Sequence, residues 1–240
     1  IDVMAEFSGP GGRVMRVPGF FTQDYQWVGR ERRKYMVPVG EPGWKVRFAP
    51  PQIGSWQVRV AVRDRSGQVT SEPVGFECAA GESKGFVRRC PQNPYYLQFD
   101  SGDPYFAVGE NVCWAGAEDK GPYAEWFAAL GAAGGNYCRI WLVRWNMGLE
   151  WMNRGYQSGV YYGLGRYSLD NAYRLDWVME QARRNGIYCM LCLGYHGELE
   201  DQPDYFKSNC WEDSPYNRAN GGPCEKPKDF WTSEPARKLY

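Results

Sequence analysis

The sequence predicts two fold classes in one chain of 240 residues: an all-β sandwich, then about three strand–helix units of an α/β fold. In residues 1 to about 80, apolar and polar side chains alternate in short segments, which is the period of a half-buried strand. Later segments are nearly continuous apolar runs, typical of strands buried on both faces of a parallel sheet. Helical patterns separate these runs, in the order of strand–helix units. The apolar runs are 104–111, 135–145 and 186–196.

The strands of the first region are clearest at 44–48 and 56–64, where apolar and polar residues alternate. Turn residues rich in Gly and Pro separate the segments, and short strands at this spacing indicate an antiparallel sandwich. We therefore assign residues 1–80 to the sandwich, a small and polar linker to 81–86, and a second domain to 87–240.

Two helices are predicted from apolar stripes and from residues that favour helix ends. The first spans 122–133 and ends at a glycine pair, and the second spans 168–185, with Ser168 as N-cap and Gly186 after its last turn. The stripes are Trp126, Ala129, Leu130 and Ala133 in the first helix, and Ala172, Leu175, Met179 and Ala182 in the second. A third helix begins near Ser233. Three units are too few to close a barrel, so we expect the chain to be a fragment of a longer protein.

Polar residues lie within or at the end of each apolar run. Glu110 and Asn111 end the first run, Arg139 lies in the second, and His196, the only histidine, closes the third. Because ligands of α/β sheets bind outside the carboxyl ends of the strands, we expect these side chains to line the functional site. The long connections after the second and third runs are rich in Trp, Tyr and Gly, which favours a functional role over disorder.

The composition excludes several classes of protein. The 28 basic and 28 acidic residues cancel, and without a basic stripe we expect neither a nucleic-acid partner nor an anionic membrane surface. The apolar runs are shorter than the ~20 residues of a membrane span. A single histidine argues against zinc sites built on two or three imidazoles, and we expect no metal ion and no cofactor. Aromatic residues make up 16% of the chain, which fits a sugar site or, more simply, core packing.

The eight cysteines leave their chemistry open. Cys189 and Cys192 form a C-x-x-C pair, but inside a predicted strand they would point to opposite faces, which argues against a redox pair. Two further pairs in loop-like sequence are candidates for disulfides in an exported protein or, although their spacing matches no tight zinc knuckle, for metal ligands. These are Cys78 with Cys90, and Cys210 with Cys224.

Carboxylates near the predicted strand ends are the remaining candidates for chemistry. Glu110 is either a catalytic acid or a structural acid paired with Arg139, whose charge inside an apolar run needs a partner. The acidic cluster at 198–201 is either a cation site or the solvated face of a loop. Its members are Glu198, Glu200 and Asp201.

Three motifs carry a resemblance to a known family. They are Gly109-Glu110-Asn111 with Trp114, Gly134-Gly135-Asn136-x-x-Arg139-Ile140-Trp141, and the apolar run that ends at His196. These motifs resemble the first three strands of glycoside hydrolases of clan A, closest to family 5-like members of the cellulase and mannanase type. The resemblance implies that Arg139 contacts the catalytic nucleophile and that His196 lies near a sugar subsite. It also implies that Asn111, Trp114 and Trp141 line the substrate site.

The first region carries a second resemblance. Its motifs are Phe7-Ser8-Gly9-Pro10, Val17-Pro18-Gly19-Phe20, and the segment 43–50 with Trp56. They are similar to the Ig-like domain of unknown function 5060, which often precedes such barrels in bacterial proteins. Together the two resemblances imply an Ig-like sandwich followed by the N-terminal part of a TIM (β/α)8 barrel, about three β/α units long.

The resemblance implies retaining hydrolysis of a β-linked polysaccharide by two carboxylates ~5 Å apart. The family's catalytic glutamates follow the fourth strand, in an Asn-Glu pair, and the seventh strand. The chain has no Asn-Glu dipeptide, so we assign no catalytic residue, expect both catalysts beyond Tyr240, and expect this chain alone to be inactive. The alternative is a non-catalytic carbohydrate-binding or cell-surface module, and the single histidine argues against a metal-dependent hydrolase. We expect a secreted, periplasmic or cell-surface protein.

Overall fold

The computed structural model describes residues 1–30, 33–115, 122–150, 163–200 and 210–240. They form two compact units: Ile1–Gln23 with Gly40–Phe106, and Asp24–Val39 with Ala107–Tyr240. The linker placed at 81–86 stays a prediction.

Thirteen strands and three α-helices lie in these described ranges, with short 3₁₀ turns between some of them. The strands are β1 (Asp2–Ser8), β2 (Val14–Pro18), β3 (Phe20–Arg30), β4 (Arg33–Lys45), β5 (Gly54–Asp64), β6 (Gly67–Thr70), β7 (Val74–Cys78), β8 (Val87–Arg89), β9 (Leu97–Phe99), β10 (Pro104–Tyr105), β11 (Gly109–Asn111), β12 (Tyr137–Trp141) and β13 (Tyr188–Cys192). The helices are α1 (Tyr123–Ala132), α2 (Leu169–Arg184) and α3 (Glu234–Leu239).

The first unit is built around an antiparallel sheet in the order β2–β1–β5–β6, with β7 also paired to β5. Its strands alternate as the sequence predicts. Ala5, Phe7 and Trp56 are buried on one face, and an ion pair between Glu6 and Arg16 lies on the other. A smaller antiparallel sheet, β10–β9–β8, follows in this unit. Strands β3 and β4 form a hairpin whose central part, Asp24–Val39, belongs to the second unit. This arrangement is compatible with the predicted sandwich.

The second unit contains a parallel sheet in the order β11–β12–β13. In the chain, α1 follows β11 and α2 follows β12, and the two helices cover one face of the sheet. On that face Cys138 and Ile140 are fully buried against Phe127 of α1 and Val178 of α2. On the opposite face Trp141 is only half-buried. Among the described residues, the sheet therefore has one face closed by helices and one open face.

The prediction of a barrel portion is wrong. Strands hold 38% and helices 24% of the structure, with three α-helices in the described residues, and this composition does not match part of a (β/α)8 barrel. The first apolar run does not form one strand: Pro104–Tyr105 pairs antiparallel with β9, while Gly109–Asn111 pairs parallel with β12. The strands are also not buried on both faces, since Met190 in β13 is 52% exposed. The apolar character of the runs predicted strands with both faces buried. In the structure the first run is divided between two sheets, and the third run has one exposed face.

The helices begin and end close to the predicted residues. The Ser168 hydroxyl accepts a hydrogen bond from the backbone N–H of Asn171 at the start of α2, and Gly186 follows its end with a left-handed φ of 70°. The stripe predicted for α1 is wrong in phase. Tyr123 and Phe127 are fully buried, whereas Trp126 is 38% exposed. Aromatic residues occupy both sides of this helix, so the period alone did not identify the buried side.

Candidate functional site

The carboxyl ends of β11, β12 and β13 lie at one edge of the sheet, because the three strands run in the same direction. Trp114 follows β11 by three residues, Trp141 is the last residue of β12, and Tyr195 follows β13 by three residues. After β12 the chain enters a tight turn that carries Trp145. These four residues are half-buried, and we call them the aromatic wall.

The rings of the aromatic wall contact one another. Trp141 stacks on Tyr195, with 5.7 Å between ring centroids and 22° between ring planes, and Trp145 meets Tyr195 edge to face at 5.1 Å. The Trp114 ring lies 5.5 Å from that of Trp141 and 5.7 Å from that of Trp145. Because stacked and edge-to-face pairs have preferred geometries, these contacts fix the orientation of each ring.

Trp145 is held by a tight turn whose ends are buried. Val143 and Asn146 exchange backbone hydrogen bonds of 3.1 and 2.8 Å, and the side chain of Asn146 donates to the carbonyl oxygen of Trp141 at 3.3 Å. Met147, 1% exposed, has a left-handed φ of 57°. A positive φ is uncommon outside glycine and persists where the surroundings hold it. The turn therefore ties Trp145 to the end of β12.

Arg139 lies on the open face of β12, beside the aromatic wall. Its guanidinium carbon is 5.3 Å from the ring centroid of Trp141, within the range of a cation–π contact. Its Nε donates to Cys192 Sγ at 3.2 Å, and this hydrogen bond raises the pKa of Arg139 above its ordinary value. Within the described residues Arg139 forms no ion pair, so its two terminal NH₂ groups are available to a ligand.

Glu110 does not pair with Arg139. In the register of the sheet, Glu110 lies opposite Cys138 and Asn111 lies opposite Arg139. Since successive strand residues point to opposite faces, Glu110 lies on the helix side and Arg139 on the open side. Glu110 and Asn111 line a groove of about 430 Å³ between β11 and α1. The structure therefore excludes the ion pair with Arg139 that was one of two alternatives for Glu110, and Asn111 lies at the border of this groove.

His196 begins a 3₁₀ turn, His196–Leu199, soon after β13. Its backbone is next to Tyr195 of the aromatic wall, and its side chain is outside the described part of the structure. The predicted role of His196 in sugar binding stays a prediction. Asp201, the last member of the acidic cluster, also lies outside the described residues.

Glu198, in the same 3₁₀ turn, carries a buried carboxyl group. Burial raises its pKa to about 8, and a hydrogen bond from the backbone N–H of Tyr195 opposes this effect only in part. Its Oε1 atom is sealed from solvent and has no hydrogen-bond partner among the described residues. For Glu198 the interpretation as a solvated loop face is therefore wrong. No group of three or more metal-ligating side chains occurs in the described parts of the chain.

A buried ion pair lies beside Trp145. Arg144 pairs with Asp213, and the two side chains are 10% and 2% exposed. The Arg144 guanidinium carbon is also 5.9 Å from the Trp145 ring centroid. Removing either partner of such a pair destabilises the fold, because the remaining charge is then buried without compensation. The segment around Asp213 therefore helps to hold the turn that carries Trp145.

The cysteines are thiols, and no disulfide joins the eight of them, all of which lie in described residues. Cys138 and Cys189 face each other across β12 and β13 with 3.3 Å between their sulfur atoms. This contact, together with burial, raises the pKa of the Cys138 thiol. Cys192 instead contacts Arg139, so the two cysteines of the C-x-x-C have different partners, as the strand geometry predicts. No described helix is long and apolar enough to cross a membrane.

The chain is similar to known proteins in two respects. Residues 1–63 match the domain of unknown function DUF5060. Among solved structures, the chain is similar to the crystal structure, at 1.80 Å resolution, of "a putative glycoside hydrolase" from Bacteroides vulgatus ATCC 8482. No curated protein matches the sequence.

The likeness to the solved structure is one of fold. The TM-score is 0.54 and the sequence identity 17%. The match covers 79% of this chain and 36% of the other, so this chain spans about a third of that protein's length. The narrower resemblance to clan A and family 5 stays a prediction.

Proposed function

We propose that the open edge of the parallel sheet binds a carbohydrate. The observation that carries the proposal is the aromatic wall, with the Arg139 guanidinium against its Trp141 ring. A pyranose ring has an apolar C–H face, which packs on flat aromatic rings, and a rim of hydroxyl groups. The wall offers such rings at an edge where ligands of α/β sheets bind.

The polar groups near the wall fit the rim of a sugar. Arg139 has guanidinium N–H donors, and the Asn111 side chain has both a donor and an acceptor. Trp114 and Trp141 would supply the stacking surface, and His196 would complete the site after β13. Through these donors and this acceptor, Arg139 and Asn111 would hydrogen-bond the sugar hydroxyl groups.

We further propose that the whole protein is a glycoside hydrolase that cleaves a β-linked polysaccharide with retention. The fold likeness to the Bacteroides vulgatus protein and the DUF5060 match support this proposal. A retaining enzyme needs two carboxylates ~5 Å apart. In this proposal Arg139 has a supporting role, because a neighbouring guanidinium keeps a carboxylate nucleophile ionised.

A second candidate is a carbohydrate-binding module without catalysis. The specific observation that favours it is that the aromatic wall is assembled within the described residues, so sugar stacking needs no catalytic group.

Both candidates predict that the 240-residue chain binds oligosaccharides through the aromatic wall. Calorimetric titration with cellohexaose, mannohexaose and xylohexaose measures this binding. Replacing Trp141 by Ala removes the ring that contacts Tyr195, Trp114 and Arg139, so we expect the affinity to fall at least about tenfold.

The matched control is Trp44→Ala, since Trp44 is 40% exposed on β4, in the first unit, and outside the aromatic wall. We expect this variant to bind like the wild type. Trp141→Phe keeps a flat ring and should retain most of the affinity. Failure of the wild type to bind any of these sugars, or equal losses in both alanine variants, would refute the proposed site. Release of reducing sugar by the longer protein separates the hydrolase from the binding module.

A further inference from the structure

Tyr195 joins the aromatic wall to the 3₁₀ turn that follows β13. Its ring packs on Trp141 and Trp145, and its hydroxyl lies 2.6 Å from Cys210 Sγ. Its backbone carbonyl accepts a hydrogen bond of 3.2 Å from the backbone N–H of Glu198. The position of the Tyr195 ring therefore depends on how the turn His196–Leu199 is held.

The carboxyl group of Glu198 fills the space under this turn. A Cβ atom added at Gly194 would lie 2.2 Å from Glu198 Oε2, so a glycine is the residue that leaves room for this carboxyl group. The backbone N–H of Tyr195 donates to the carboxyl group. The other oxygen, Oε1, is buried without a described partner. The carboxyl group thus contacts the two residues that lead from β13 into the turn.

No described cation compensates a charge on Glu198. The turns Cys210–Asp213 and Pro227–Trp231 pack against the turn that carries Glu198. Two acids in these turns have other partners. Asp213 pairs with Arg144, and the Asp229 carboxylate accepts a hydrogen bond from the backbone N–H of Lys226. The other titratable groups of these turns and their neighbours are Cys210, Glu212, Lys228 and Tyr216, of which Tyr216 interacts electrostatically with Glu198. A carboxylate with a sealed and unpartnered oxygen is costly, so the neutral acid is the favoured form. The raised pKa of about 8 agrees with this conclusion.

We propose that Glu198 is a positioning residue of the sugar site, whose neutral carboxyl group holds the backbone of Tyr195 so that the Tyr195 ring completes the aromatic wall. Ionisation places an uncompensated charge under the turn, which then opens toward water and displaces the ring. The consequence for binding rests on the proposed carbohydrate function. The consequence for the Tyr195 ring does not, because it follows from the packing alone.

The experiment compares the wild-type 240-residue chain with Glu198→Gln at about pH 6 and about pH 9. Glutamine keeps the size of the side chain and cannot ionise. Near-UV circular dichroism reports the packing of the aromatic wall, and calorimetry with cellohexaose, mannohexaose and xylohexaose reports binding. For the wild type we expect a change in the near-UV spectrum and about a tenfold loss of affinity on going to the higher pH. For Glu198→Gln we expect neither.

The matched control is Glu200→Gln, which removes a carboxylate two residues away and should behave like the wild type at both pH values. A pH dependence that persists in Glu198→Gln, or a wild-type near-UV spectrum that is the same at both pH values, would overturn the proposal. If the wild type binds none of the sugars, the proposed function fails, and the near-UV comparison alone then decides the role of Glu198. Gly194→Ala gives a further check, since its Cβ would displace the carboxyl group and should alter the spectrum even at the lower pH.

Discussion

The two main sheets of the molecule divide their residues in different ways. In the antiparallel sheet of the first unit, alternate residues go to a closed apolar face and to a charged face, as Phe7 and Glu6 do. In the parallel sheet of the second unit, one face is closed by helices, and the other holds half-buried aromatic residues and Arg139. Folding alone explains the first pattern, because the apolar residues face the core and the charged residues face water.

The second pattern is not explained by folding alone. Half-buried rings are clustered on the open face at the carboxyl ends of parallel strands, where they remain partly exposed. Trp56 and Trp141 represent the two cases: Trp56 is 1% exposed inside the first sheet's core, and Trp141 lies in the aromatic wall. Complete burial assigns Trp56 to stability, whereas Trp141 belongs to the proposed sugar site.

The largest expected effect comes from exchanging these two tryptophans for alanine in separate variants. Trp56→Ala removes a fully buried ring that packs on Phe48 and donates to the Gln52 carbonyl at 3.0 Å. We expect a loss of about 3–5 kcal/mol in the free energy of unfolding. Trp141→Ala removes a half-buried ring and should cost only about 1–2 kcal/mol while abolishing most of the sugar affinity. Urea denaturation followed by far-UV circular dichroism, together with calorimetry, measures both quantities.

A similar loss of stability in the two variants would remove the distinction between the sheets. So would a loss of sugar binding in Trp56→Ala under conditions where that variant is still folded. Because the chain forms two compact units, the denaturation curves should be fitted for two transitions. The Trp56 substitution should then shift the transition of the first unit.

The second expected effect compares the ion pairs of the two units. Asp213→Asn leaves the Arg144 guanidinium, which is 10% exposed, without its charge partner, and should cost about 3–5 kcal/mol. Asp2→Asn breaks the pair between Asp2 and Arg63, whose side chains are 54% and 66% exposed, and should cost at most about 1 kcal/mol. Thermal melts at low and at high salt measure both. Equal costs would show that the Arg144 pair is solvated, and would weaken its role in holding the turn of Trp145.

Much of the local structure could be predicted from the sequence, because it depends on neighbours in the chain. The alternation at 56–64 identified β5, and Ser168 with Gly186 identified both ends of α2. These features have physical causes within a few residues: the strand period, the N-cap hydrogen bond and the left-handed glycine. Arg139 and Trp141 also lie in a parallel strand, Arg139 in its middle and Trp141 at its end.

The misjudged features depend on contacts between distant segments. The run 104–111 is divided between an antiparallel and a parallel sheet, and apolar character alone cannot show which strand pairs with which. Trp145 and Tyr195 were missed as site residues, although the aromatic connections after the second and third runs pointed to their region, and Glu198 was considered only as part of a cation site or of a solvated loop face. Only the tertiary contacts show that Tyr195 stacks on Trp141 and that the Glu198 carboxyl is buried.

The smallest expected effect is the dependence of stability on pH that Glu198 adds to the second unit. In the unfolded chain this carboxyl group ionises near pH 4.5, and in the folded protein its pKa is about 8. Between these values the folded state holds a proton that the unfolded state has lost, so the free energy of unfolding falls as the pH rises. The stabilisation is complete below about pH 4.5 and lost above about pH 8. Allowing for relaxation of the turn, we expect it to be on the order of 2–4 kcal/mol.

Other groups titrate in the same interval, so the informative quantity is the difference between wild type and Glu198→Gln. Burial also raises the pKa of Glu150, which acts in the same direction, whereas Arg183 and Arg184 lower the pKa of Glu180 to about 2, so that Glu180 acts in the opposite direction and below about pH 4.5. Both contributions cancel in the difference, since both groups are present in each protein. The variant should gain stability relative to the wild type as the pH rises from about 4.5 to about 8, as measured by urea denaturation at closely spaced pH values. A difference that does not change with pH would mean that Glu198 is solvated when folded. The open edge of the parallel sheet would then have no buried acid to control it, and its aromatic wall would be held by ring packing and by the turn that carries Trp145.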